Sequence, residues 1–143
     1  MSLRFWWWWQ RIVTIAVMIL GLSFLFVPNL TFSIFNVLLF GSQDAGGLFS
    51  TETARYVMFV YRVLGAVLVG WAVVLYAIFY RVFIKQERWA WNTAVLSLLV
   101  WYLPDTYFSL SMGFPANAVL NTELGILLLI QLLAMYRGIG SAE

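Results

Sequence analysis

Four long stretches of the chain are almost unbroken in apolar residues, and short polar or Pro/Gly interruptions separate them. A helix that crosses a bilayer needs about 20 mostly apolar residues. The stretches that reach this length run from about Phe5 to Val27, Ala54 to Phe83, Trp89 to Met112 and Asn117 to Tyr136. Helix is expected for each, because hydrocarbon offers backbone N–H and C=O groups no partner and a helix pairs them internally. The breakers fall between the stretches. Pro28-Asn29 is expected to close the first, Lys85-Gln86-Glu87-Arg88 to form a tight polar turn after the second, and Gly113-Phe114-Pro115 to turn the third into the fourth. Turns this short make the second, third and fourth helices antiparallel neighbours.

The segment between the first two stretches differs. Leu30 to Phe40 is apolar but too short to span, and it gives way to the polar, flexible run Gly41-Ser42-Gln43-Asp44-Ala45-Gly46-Gly47. A short helix lying in the membrane interface is expected over 30–40, with Ser33 and Asn36 facing water. Alternation at Leu30, Phe32 and Ile34 leaves a buried strand or re-entrant piece as the other reading. The whole is read as a single all-α membrane domain over 1–143: a four-helix bundle with a short interfacial helix between helices one and two.

Composition supports the class and removes much chemistry. Hydrophobic residues make up 64% and charged residues 10%, against about 25% charged in soluble domains. Cysteine and histidine are both absent. That excludes a disulfide framework, a thiol nucleophile, a Ser-His-Asp triad and His- or Cys-ligated haem or metal. Bound lipids are expected; pigment could be held only by packing or by ligands such as Asn, Gln or backbone carbonyls. A net charge of +2 is too small for a nucleic-acid-binding face.

Lys and Arg set the expected orientation. With four spans, Arg4, Arg11, Arg81, Lys85, Arg88 and Arg137 flank the membrane on one side, and Arg55 flanks it on the other. Both termini are therefore expected in the cytoplasm, in a multi-pass protein of a bacterial inner membrane. The first helix is expected to be retained, because tryptophans stand where a signal peptide's apolar core would begin and no small-x-small site precedes Pro28. Trp6, Trp7, Trp8, Trp9, Trp89 and Trp91 gather near the cytoplasmic interface, where an apolar ring with one N–H donor is at home. They are read as interfacial anchors, with a docking surface for a partner helix, lipid or pigment as the sharper alternative.

Apart from Arg11, Arg55 and Arg81, read as flanking residues, three charged residues lie inside the expected spans: Arg62, Asp105 and Glu123. Each costs about 2.5–3.5 kcal/mol at mid-helix, which makes it a candidate for function. At 1.5 Å per residue, Arg62 lies about 12 Å, Asp105 about 10 Å and Glu123 about 9 Å from the outer helix ends. All three fall in the outer half, so an Arg62–Asp105/Glu123 network is expected to relieve their desolvation. Arg55 lies nearer the water on the same helix face as Arg62. Thr106, Tyr107, Ser109 and Ser111 collect after Asp105, and Asn117, Asn121 and Thr122 precede Glu123. Pro104 removes a backbone donor and frees the Val100 carbonyl. This cluster is either a structural ion pair fixing helix register or a shallow outward-facing pocket for an anionic head group, a lipid-like molecule or a proton.

Gly21, Gly65, Ala66, Gly70 and Gly125 are expected to let helix backbones approach closely. No GxGxxG, Walker loop, HExxH or CxxC is present. Arg62-Val63-Leu64-Gly65 together with Trp101-Tyr102-Leu103-Pro104-Asp105-Thr106-Tyr107-Phe108-Ser109 resembles bacterial four-span proteins of the DoxX-like type, over about half of the chain. That resemblance implies a four-helix bundle and no particular activity. The functional expectation is a non-catalytic accessory or structural subunit of a larger membrane complex, respiratory or photosynthetic, with other transmembrane subunits and lipids as partners. The alternative is a small transporter or lipid-binding protein using the outer-leaflet Arg/Asp/Glu cluster.

Overall fold

The computed structural model describes residues 3–41, 47, 49–85 and 87–139, with side chains at 5–41, 47, 49–82, 85 and 87–136. Ser42 to Gly46 of the expected loop, Gln86 of the expected turn, and the Arg4 and Arg137 side chains lie outside the described residues. The described chain is all-helical: α1 (Leu3–Phe26), α2 (Pro28–Phe40), α3 (Thr51–Lys85), α4 (Arg88–Ser111) and α5 (Pro115–Ile139). Among the described residues, three helices are long and apolar enough to cross a membrane: α1 over Phe5–Phe26, α3 over Thr51–Val82 and α5 over Pro115–Tyr136. Their length and composition point to a membrane protein. α4 matches α1 in length at 24 residues, but Asn92, Thr93, Asp105, Thr106 and three serines dilute its apolar run.

Caps, more than hydropathy, set the helix ends. Pro28 and Asn29 do not simply close the first helix; they open α2. Val27 sits off the helical region at φ −125°, as the residue before a proline does. Pro28 takes the first helical position, where its missing N–H leaves no bond unmade. α2 stops at Gly41, whose φ of 71° is the left-handed turn that glycine adopts without strain. α3 begins three residues earlier than its apolar run because the Thr53 N–H donates to Ser50 Oγ (3.2 Å). Between α4 and α5, Phe114 N–H donates to the Ser109 carbonyl (2.7 Å) and Gly113 N–H to that of Leu110 (3.2 Å). With Gly113 at φ 81°, this is a Schellman cap. Pro115 then starts α5, so the expected turn at 113–115 is present.

The chain divides into two compact units. The first comprises Met1–Ile15 and Val73–Glu143. Its interior holds Leu75, Phe79, Val82, Leu128, Leu132 and Met135, with Ala90, Ala94 and Leu98 lining the buried face of α4. α4 and α5 pack against each other here. The second unit comprises Ala16–Ala72. Gly21 of α1 and Gly65 of α3 meet there: a Cβ added at Gly65 would lie 2.6 Å from the Gly21 carbonyl oxygen and 2.7 Å from the Leu25 nitrogen. Phe24, Phe35 and Tyr61 cluster beside this contact, with ring centroids 5.0 to 5.9 Å apart. The cluster corrects one expectation. Asn36, read as facing water, is only 4% exposed, because the face of α2 that carries Phe32 and Phe35 packs on Tyr61 and draws its neighbour inward. Ser33, the other residue so read, is exposed.

Candidate functional site

A polar seam joins α4 to α5 in the first unit. Asp105 and Ser109 lie one turn apart on α4. The Ser109 hydroxyl donates to the Asp105 backbone carbonyl (2.6 Å), with the carboxylate Oδ1 at 3.4 Å. Asn117, two residues into α5, donates from Nδ2 to Asp105 Oδ1 (3.1 Å) and Ser109 Oγ (2.7 Å). The Schellman turn makes this reach short, since it returns the chain directly beside the end of α4. One turn deeper, Thr122 donates to the Ala118 carbonyl (2.7 Å), and the Tyr102 hydroxyl lies 3.2 Å from Thr122 Oγ1. With the Thr122 proton already committed, Tyr102 is the donor. The Tyr102 ring also lies flat enough against α5 that a Cβ at Gly125 would meet its Cδ2 at 3.2 Å.

Asn117, Asn121 and Gly125 follow at successive turns on one face of α5. The first touches Asp105 and the last touches Tyr102, so Asn121 is directed at α4 between them. Asn121 is 4% exposed, and its Nδ2 is buried without a hydrogen-bond partner. Thr106 Oγ1 is buried in the same condition. Most buried polar groups are paired, so these two atoms mark the least satisfied part of the seam.

The expected site residues divide as follows. Asp105, Ser109 and Asn121 belong to the seam. Glu123 does not: it sits on the exposed face of α5 and makes no hydrogen bond or ion pair with a described residue of its unit. Arg62 and Arg55 lie on exposed positions of α3 in the second unit, and Arg62 likewise finds no such partner within its unit. The pairing expected of Arg62 joins residues of different units; Asp105 takes its contacts from Ser109 and Asn117. Among the described residues, Arg81 and Glu87 form an ion pair at 3.4 Å. Being exposed, it contributes little to stability.

The tryptophans take varied places. Trp6 meets Phe5 edge-on. Trp7 lies between Tyr76 and Tyr80, with the Arg11 guanidinium 5.0 Å above its ring. Trp8 is 60% exposed. Trp9 Nε1 donates to the Leu127 carbonyl (3.3 Å) and Trp91 Nε1 to that of Leu132 (2.9 Å). Trp89 donates to the Glu87 carboxylate. Two buried glutamines near this end went unnoticed in the sequence. Gln10 Nε2 donates to Thr14 Oγ1 (2.8 Å) and Gln131 Nε2 approaches Met135 Sδ (3.9 Å). The amide oxygen of each is buried and unpartnered. Gln131 carries a signal as a lone polar residue inside an apolar run, whereas Gln10 stands between the tryptophans and Arg11.

Chemically, the seam is a set of hydrogen-bond donors around one carboxylate. Such an arrangement can hold two helices in register or grip a polar group. No family model, no curated protein and no solved structure matches the chain.

Proposed function

We propose that the protein is a non-catalytic structural subunit of a larger membrane assembly, crossing the bilayer four times with α2 at the interface and both termini in the cytoplasm. α4 counts as the fourth span on this reading, because the seam turns its polar side toward α5. One observation carries the proposal: Glu123 stands exposed on α5 among Val119, Ile126 and Ile130, which are themselves 58%, 49% and 47% exposed. A carboxylate facing lipid at this depth would cost about 2.5–3.5 kcal/mol. A neighbouring membrane protein that offers it a donor removes that cost. The wide apolar surface of the other helices suits lipid and partner helices alike.

The test is mild-detergent purification from the native membrane, followed by mass spectrometry and an absorption spectrum of the intact species. Other proteins in fixed ratio are expected. A species containing this chain alone would overturn the proposal.

A second reading rests on a separate observation. The buried, unpartnered Asn121 Nδ2 and Thr106 Oγ1 beside Asp105 are suited to gripping a small polar ligand or lipid head group at the outer end of the bundle, as a transporter or lipid-binding protein would. It predicts that Asn121→Leu abolishes ligand-dependent thermal stabilisation without loss of the fold.

A further inference from the structure

We infer that one neighbour of the chain is a second copy of itself, with the Glu123 face of α5 seated on the Arg62 face of α3 in the other copy. This rests on the four-span reading and goes beyond the subunit proposal, whose other partners are different proteins. The two faces complement each other in charge, bulk and direction.

Charge comes first. Arg62 and Glu123 are both exposed, and each lacks a hydrogen bond or ion pair with the described residues of its own unit. They have opposite sign and lie at similar depths, about 16 Å from the Thr51 end of α3 and about 12 Å from the Pro115 end of α5. A desolvated Arg–carboxylate contact between copies satisfies both at once, and Arg is suited to it because its planar fork matches a carboxylate.

Bulk follows the same pairing. Continuing inward from Arg62 on the same face of α3 come Ala66 and Gly70, both exposed. A Cβ built on Gly70 meets nothing within 4 Å. Continuing inward from Glu123 on α5 come Ile126 and Ile130, both exposed and branched. Large side chains on one helix thus oppose small ones on the other, which is how helices approach closely in a membrane where no hydrophobic drive separates protein from lipid. Direction agrees as well: on the four-span reading α3 and α5 both run from the outer side inward, so Arg62 falls opposite Glu123, Ala66 opposite Ile126 and Gly70 opposite Ile130 in one parallel register. The contact joins two different patches. Each copy therefore offers a second copy either face.

The test uses charge reversal in differently tagged copies expressed together in the full chain. R62E and E123R, each expressed alone, place like charges at every contact and are expected to lower self-capture about tenfold or more. Expressed together, the R62E copy and the E123R copy meet with opposite charges at both contacts, and mixed capture is expected to return to the unaltered level. An ion pair inside one chain cannot give this mixed rescue. Helical circular dichroism and a single elution peak for each variant show that it folds.

A second measurement needs no charge change. The chain has no cysteine, so Gly70→Cys in one tagged copy and Ile130→Cys in the other are expected to form a disulfide between copies, and Ile12→Cys in place of Ile130→Cys is not. Absence of both mixed rescue and cross-link overturns the self-pairing. If other proteins are still captured in fixed ratio in that case, the subunit proposal survives; a lone monomer overturns both.

Discussion

At the scale of single residues, two glycines of α3 five positions apart carry opposite consequences. Gly65 faces α1, where an added Cβ would press on the Gly21 carbonyl, the Leu25 nitrogen and Phe24 Cβ, all within 3.0 Å. Backbone atoms yield little, so Gly65→Ala is expected to cost about 1–3 kcal/mol and lower the melting temperature in detergent. Gly70 faces open space. Gly70→Ala is expected to leave monomer stability unchanged or raise it by about 0.5–1 kcal/mol through helix propensity. Equal melting of the two variants would show that the α1–α3 contact is not close. The tryptophans give a parallel contrast. Trp91→Phe keeps a ring near Tyr136, whose centroid lies 4.9 Å away, but loses the bond to the Leu132 carbonyl. A loss of about 0.5–1.5 kcal/mol is expected. Trp8→Phe, at an exposed position, is expected to leave the melt where it was.

At the scale of elements, the α4–α5 seam should behave as one fastening. Asn117→Ala removes both bonds that α5 offers to Asp105 and Ser109, and it should lower stability by about 1–3 kcal/mol, since a half-buried carboxylate loses its donor. Ser111→Ala, two residues from Ser109 but exposed, should change it by less than about 0.5 kcal/mol. A thermal melt of both variants decides whether the seam or the general polarity of this end matters.

What the sequence made legible at this scale was position along the chain. The apolar runs and their breakers located the long helices of the described residues and the glycine cap at Gly113, because length and Pro/Gly chemistry are local. Direction around each helix was not legible. Asn36 turned inward, against expectation, because a helix that is apolar nearly all round has no polar stripe to show which side meets protein. Gln10 and Gln131 were passed over for the same reason. Asp105, Ser109 and Asn117 come together because the short turn after α4 sets its end beside the start of α5.

At the scale of the whole molecule, the cation asymmetry makes a topology prediction. Reporter fusions at Met1 and Glu143 should both signal from the cytoplasm, and a cysteine placed at Arg55 should react with an impermeant thiol reagent added outside. The native chain supplies a silent background for this labelling, as it contains no cysteine. A terminus reporting from the outer side would remove one span and with it the parallel register of α3 and α5.

The seam has a further consequence, for how the protein is made. α4 is the least apolar of the four long helices, yet it leaves the ribosome before the partner that bonds to its carboxylate and to Ser109. On the four-span reading it therefore enters the bilayer as a passenger, held at the translocon until α5 emerges and the two partition as a hairpin with their polar sides facing each other. A nascent chain cut after Gly113 should leave α4 unintegrated and extractable by alkali, whereas a chain extended through α5 should anchor it. Replacing Asp105 with leucine should free α4 from that dependence.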